Sequence, residues 1–146
     1  MAIDRGLAPL ETAGSLSLAT VRPDGRPHVV PLWFIRDRET IVVFSKPHAQ
    51  KVRNLRAEPR AMVSVGQPGE AHATLIDVIA EVEAGGAAGL TDRLASKYHH
   101  HFETLGLTVE RFIETYPCVI RLRPTRWLSW GGPGWVGRAA EPRAGE

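Results

Sequence analysis

The sequence contains one cysteine, Cys118, so no disulfide can form within the chain. A reducing compartment suits such a chain, and a cytoplasmic location is expected. No apolar run approaches the roughly 18 residues that a membrane-spanning helix requires. The opening residues, Met1-Ala2-Ile3-Asp4-Arg5, lack the apolar stretch of a signal peptide. Strong charge of either sign is also missing. Lys plus Arg number 18 against 16 acidic residues, a net charge of +2, which is too little to argue for nucleic-acid binding. Lysine itself is scarce: Lys46, Lys51 and Lys97 are the only three, and every other basic residue except histidine is arginine.

What remains is typical of a soluble globular domain, with 43% hydrophobic and 23% charged residues. A length of 146 residues suits one domain with an ordinary hydrophobic core. That domain is expected over residues 1–132. The remainder, 133–146, is rich in Gly, Pro, Arg and Ala, and is expected to be a flexible tail.

Residues 15–21 alternate small polar with apolar side chains, the period of a half-buried strand. Arg22-Pro23-Asp24-Gly25 is a turn, because Pro pre-sets φ and Asp-Gly accepts the remaining angles. Residues 27–35 form the second strand of this hairpin. Pro31 lies within it and cannot donate a ladder hydrogen bond, so this is either an edge strand or a strand that opens toward a ligand. A polar turn at 36–39 leads to a third strand at 40–45. A helix follows, with Pro47 in its first turn, Ala49, Val52 and Leu55 on its apolar face, and Pro59 as its stop. Further strands are expected at 61–66, 72–83 and 118–122, with a bulge at Asp77. Residues 84–88 read as a hinge, and 90–102 and 108–115 as helices. Five or six closely spaced strands with short helices favour a closed or partly closed antiparallel barrel.

The chemistry concentrates where the third strand ends and the helix begins. First-turn N–H groups and the positive end of the helix dipole favour anions. Ser45 carries a hydroxyl, and Lys46 and Lys51 carry compact charges suited to phosphate. A surface helix with solvated lysines would present the same residues. Tyr98-His99-His100-His101 suggests a metal, yet His99 and Glu103 supply only two ligands on one helix face. A solvated helix face accounts for them better, and no metal is expected. Cys118 reads as a small buried apolar side chain.

Three stretches together resemble a known family. They are Leu-Ala-Thr-Val-Arg-Pro-Asp-Gly-Arg-Pro-His-Val-Val-Pro-Leu-Trp at 18–33, Phe44-Ser45-Lys46, and Gln-Lys-Val-Arg-Asn-Leu-Arg-Ala-Glu-Pro-Arg at 50–60. In this order they are similar to the pyridoxamine 5′-phosphate oxidase-related proteins, and within them to the flavin and deazaflavin oxidoreductases. The likeness runs from about Ser15 to Val82, with a weaker echo in 121–130.

The resemblance implies a mainly β, antiparallel, Greek-key-like split barrel that forms a homodimer, with a cofactor in each interface cleft. The strand at 28–33 would lie along the cofactor ring, with the backbone near Val30, Pro31 and Leu32 at its edge and His28 and Trp33 beside it. Ser45, Lys46, Gln50 and Lys51 match the phosphate-binding stretch. Asn54 matches a helix cap or turn position, and Arg60 an ion-pair position. Trp127 reads as packing, and Trp130 as the residue approaching the partner's cofactor.

The cofactor implied is coenzyme F420, the deazaflavin, with FMN as the alternative; Arg53 and Arg56 would suit the oligoglutamate tail of the former. The activity implied is hydride transfer to a small conjugated substrate, with no catalytic acid or base identified. Two other readings stand beside it: a non-catalytic carrier of flavin, deazaflavin or haem, and a dimeric scaffold without a cofactor. The chain departs from true pyridoxamine-phosphate oxidases in lacking their Arg-containing C-terminal substrate signature, which argues against vitamin B6 oxidation. The segment before Ser15 is short for the family's usual leading helix.

Overall fold

A computed structural model describes residues 8–66 and 72–131. The expected tail at 133–146 lies outside these residues. Among these residues, seven strands form one antiparallel sheet: β1 (Leu16–Val21), β2 (Pro27–Leu32), β3 (Phe34–Asp37), β4 (Thr40–Ser45), β5 (Arg60–Val65), β6 (His72–Gly86) and β7 (Cys118–Gly131). Three helices accompany them: α1 (Gln50–Ala57), α2 (Thr91–Leu105) and α3 (Val109–Thr115). Short 3₁₀ turns occupy Ala8–Glu11 and Ala87–Leu90.

The strand order is β2-β1-β5-β6-β7-β4-β3. The two edge strands, β2 and β3, are separated in sequence by Trp33 alone. One residue spans only a few ångströms of chain. The two edges must therefore meet at Trp33, and the sheet must curl into the expected split barrel. The expected single strand at 27–35 is thus two strands on opposite edges. Its unbroken apolar run concealed the break, because both halves need apolar side chains.

At the break, Tyr98 supplies what the sheet cannot. Its hydroxyl accepts the Phe34 N–H at 2.9 Å and lies 2.9 Å from the Gly14 carbonyl and 3.0 Å from that of Phe34, so its own proton reaches an acceptor. Backbone polar groups that leave a ladder inside a protein need such a partner. Tyr98 is fully buried, and its burial raises the phenol to about 12.

Two apolar clusters share the sheet. Leu16, Leu18, Ile41, Val43, Ile76, Ile120 and Leu122 fill the barrel interior with Val52 and Leu55 of α1. Val42, Phe44 and Val119 instead face Leu94, Tyr98 and Phe102 of α2. Strand β4 is therefore buried on both faces, which explains its continuous Ile-Val-Val-Phe run.

Other corrections follow from tertiary pairing. Pro47 precedes α1, whose N-cap is Ala49. The hinge expected at 84–88 is largely the end of β6, which runs to Gly86. The last strand extends from Cys118 to Gly131 rather than ending at Leu122, because β6 pairs along its length. The bulge expected at Asp77 is present as a register shift between Asp77 and Val78. Among the described residues, no helix is long and apolar enough to cross a membrane.

Candidate functional site

The β4–α1 junction leaves backbone donors open. Helix α1 begins after Ala49, whose side chain has no oxygen to cap it. Ala49 N–H bonds to the Lys46 carbonyl at 3.2 Å, and Val52 and Arg53 N–H bond to the Ala49 carbonyl at 3.0 and 3.2 Å. Among the described residues, none accepts from the N–H groups of Gln50 or Lys51. These are the orphan donors that a helix start offers to an anion.

Lys51 lies in the same turn. Its side chain lines a cavity of about 320 Å³ with Pro31, Leu32, Trp33, Phe44, Leu105, Leu107, Phe112 and Tyr116. No carboxylate of the described residues comes within ion-pair distance of its amine. Burial lowers the pKa of Lys51 below the ordinary lysine value. A desolvated ammonium is costly without a counter-charge.

His28 of β2 adds a second unmet group. Its Nδ1 is buried and is the one buried side-chain N or O atom without a hydrogen-bond partner among the described residues. Its pKa is lowered first by burial and then by the positive charges of Arg22 and Lys51. An anion beside His28 and Lys51 would relieve both.

The cavity has one polar end and aromatic walls. Trp33 stacks on Tyr98 with ring centroids 4.5 Å apart and planes 7° from parallel, and on Phe112 at 5.6 Å and 16°. Phe112 also meets Tyr116 at 4.9 Å. These contacts hold Trp33 by ring packing as well as at the cavity wall. Leu105, the last residue of α2, and Leu107, in the α2–α3 connection, are 58% and 41% exposed although they border the cavity.

Four residues expected from the sequence, Pro31, Leu32, Trp33 and Lys51, therefore meet at one cavity. Pro31 lies on an edge strand, where its missing N–H interrupts no central ladder. Val30 packs against the barrel core. Ser45 is fully buried and donates to the Lys46 carbonyl at 2.9 Å. Lys46 is exposed. Gln50 donates to Asn54 Oδ1 at 2.7 Å and accepts from Arg53, which also donates to the His48 carbonyl at 3.2 Å.

Asn54 is buried and donates to Thr20 Oγ1 at 2.9 Å, while its carbonyl accepts the Glu58 N–H that closes α1. Arg60 pairs with Glu58. Trp130 pairs with Ala73 through its strand register, and its side chain lies outside the described set. Among the described residues, no group of three or more His, Cys, Asp or Glu residues could hold a metal ion.

Sequence reasoning missed Phe44, Leu105, Leu107, Phe112 and Tyr116. The one available signal was the pair of leucines flanking Gly106, where a helix ends and an apolar side chain has little helix face left to bury.

Comparison with known proteins agrees with this geometry. Among solved structures, an F420 reductase shares 26% identity over 84% of this chain and 94% of that one, with a TM-score of 0.64. A conserved hypothetical protein from Mycobacterium tuberculosis shares 20% identity over 99% and 93% of the two chains, at 0.72. A FAD-binding protein from Mesorhizobium loti shares 21% identity over 88% and 91%, at 0.63. No curated protein matches the sequence. The sequence profile of pyridoxamine 5′-phosphate oxidase matches residues 5–131. With nearly the whole curled sheet inside that match, the chain belongs to the pyridoxamine 5′-phosphate oxidase family.

Proposed function

We propose that this chain is a subunit of an F420-dependent oxidoreductase that passes hydride between the deazaflavin and a small conjugated substrate, with FMN as the alternative cofactor. The observation that carries the reading is the half-buried Lys51 amine. It stands without a carboxylate partner among the described residues, beside an uncapped helix start and an aromatic-walled cavity. This set fits a planar group bearing an anion: the N–H groups of Gln50 and Lys51, the Lys51 amine and His28 would hold the anion. As an edge strand, β2 leaves alternate backbone groups free for the ring edge. Bound there, the cofactor would supply the hydride chemistry. The chain's own residues bind it, orient it and keep water from one side. The resemblance to an F420 reductase supports the deazaflavin over FMN.

The active unit in this reading is a homodimer in the cytoplasm. The outward face of the sheet supports the pairing. Val29, Ala19 and Met62 stand in register across β2, β1 and β5. Val29 and Met62 are 62% and 38% exposed, and Val21 on the same face is 42% exposed. A second copy would cover this apolar row.

The test is anaerobic reduction. Purified protein is loaded with F420 or FMN, the cofactor is reduced, and quinone and enone acceptors are added while ring absorbance is followed. Acceptor-dependent reoxidation faster than that of free cofactor is expected. Tight binding with no acceleration for any acceptor would instead identify a carrier.

A further inference from the structure

Three residues of the Lys51 cavity carry a polar side-chain group: Lys51, Trp33 and Tyr116. The other lining residues are apolar, the mixture usual in a small-molecule site. Lys51 is assigned to the anion above. Trp33 has both ring faces covered, one by Tyr98 and one by Phe112, so it presents only an edge. The Tyr116 hydroxyl is left without a role.

Tyr116 is placed by its chain and by its neighbours. It ends α3, where its N–H bonds to the Phe112 carbonyl at 2.9 Å. Pro117 follows and turns the residue before it away from the helical region. The ring centre lies 4.9 Å from that of Phe112, with the planes 47° apart. Phe112 is itself packed against Trp33, Phe44 and Phe102. The Tyr116 ring is therefore half-buried and held from one side. Its hydroxyl is neither bonded nor sealed. No described residue pairs with it, and the one sealed side-chain N or O atom left unpartnered among them is His28 Nδ1. A tyrosine used for packing alone needs no oxygen, whereas a phenol at a cavity commonly finds a partner for it.

We propose that Tyr116 is a specificity-determining residue of this cavity, its O–H donating to the carbonyl oxygen of a planar conjugated ketone. The proposal rests on the hydride-transfer reading above and assigns a residue to the acceptor. A neutral donor in an apolar wall suits an uncharged group, because a second anion there would be desolvated without a counter-charge. The aromatic wall suits a flat molecule. A carbonyl joined to a conjugated system combines the two. When that system accepts hydride at its far carbon, the displaced π electrons place negative charge on the carbonyl oxygen, and a donor fixed there stabilises it. Analogues without the oxygen leave the O–H unpaired and are rejected for that reason.

The full-length apo-protein is titrated with 4-(dimethylamino)benzylideneacetone, a flat conjugated ketone whose absorption band moves to longer wavelength when a donor binds its oxygen. Saturable binding with such a shift is expected. Tyr116→Phe keeps the ring and removes only the O–H. It should keep its circular dichroism, lose most of the shift and bind the ketone roughly three- to tenfold more weakly. The analogue with a methylene group in place of the carbonyl should bind the parent protein more weakly by a similar factor, and that gap should close in Tyr116→Phe. F420 affinity is read in parallel by cofactor fluorescence. A tyrosine-dependent shift without F420 binding would remove the cofactor reading and leave the donor in place. No saturable ketone binding, an unshifted band, or the same shift and affinity in Tyr116→Phe would overturn the assignment, and F420 binding alongside any of these would leave the cofactor reading standing.

Discussion

At the residue scale, the fold rests on a few polar side chains that meet needs the sheet creates. Tyr98 serves the break between β2 and β3, and Asn54 ties α1 to Thr20 of β1. Asp37 gathers charge at the end of β3: Arg121 donates to it at 2.9 Å, Arg93 also pairs with it, and Arg121 reaches on to Glu83 at 2.9 Å. The Arg121 hydrogen bond, more than any other contact, holds the Asp37 carboxyl below its ordinary value. A depressed carboxyl stabilises the fold above its unfolded-state pKa, and that stability is lost as pH falls through the folded value. Asp37→Asn should therefore lower unfolding stability at pH 7 by about 1–3 kcal/mol, and the gap to the parent should begin to narrow below about pH 4 and close as pH falls through the lower folded value. Urea titrations at pH 7 and pH 3 measure this; an equal gap at both would contradict the assignment. Neither Asp37 nor Tyr98 was legible as a structural centre in the sequence. Their partners lie 84 and 64 residues away, and no local pattern records such distances.

At the element scale, what could be read locally was read well. Strands β1 and β4 lie within a residue of their expected bounds, because alternation or a β-branched run is closed there by clear turn residues. Strand β7 was under-read at Leu122, since Arg123-Pro124-Thr125-Arg126 shows no strand pattern and only pairing with β6 holds it extended. The β4–α1 junction was legible for the same local reason as the strands: a strand end, a lysine and a helix start are neighbours in sequence. The wall made by α2 and α3 was not, because Phe112 and Tyr116 reach Trp33 and Phe44 only through folding. The exposed Leu105 and Leu107 belong to that wall. Replacing both by Ala should leave the urea midpoint nearly unchanged, within about 0.5 kcal/mol. It should weaken cofactor binding about tenfold through lost apolar contact. An unchanged dissociation constant would remove these leucines from the site.

At the scale of the whole molecule, the curl of one sheet brings edge strand β2 beside the α1 start and turns an apolar row outward. If that row is the contact with a second copy, Val29→Asp should shift sedimentation from dimer to monomer while preserving the far-ultraviolet spectrum. A dimer that persists would move the interface elsewhere. The barrel class was legible in strand spacing and turn chemistry, whereas the strand order was not, since β1 pairs with β5 across the intervening β2, β3, β4 and α1. The central claim is that Lys51 and the open start of α1 hold the anionic part of a flavin-type cofactor. Fluorescence titration of apo-protein with F420 and FMN, beside Lys51→Ala, tests it most directly. Micromolar or tighter binding is expected, stronger for F420, and weakened at least about tenfold in the variant, the loss expected for a charge-assisted contact. Binding of neither cofactor, or equal affinity in Lys51→Ala, would contradict it.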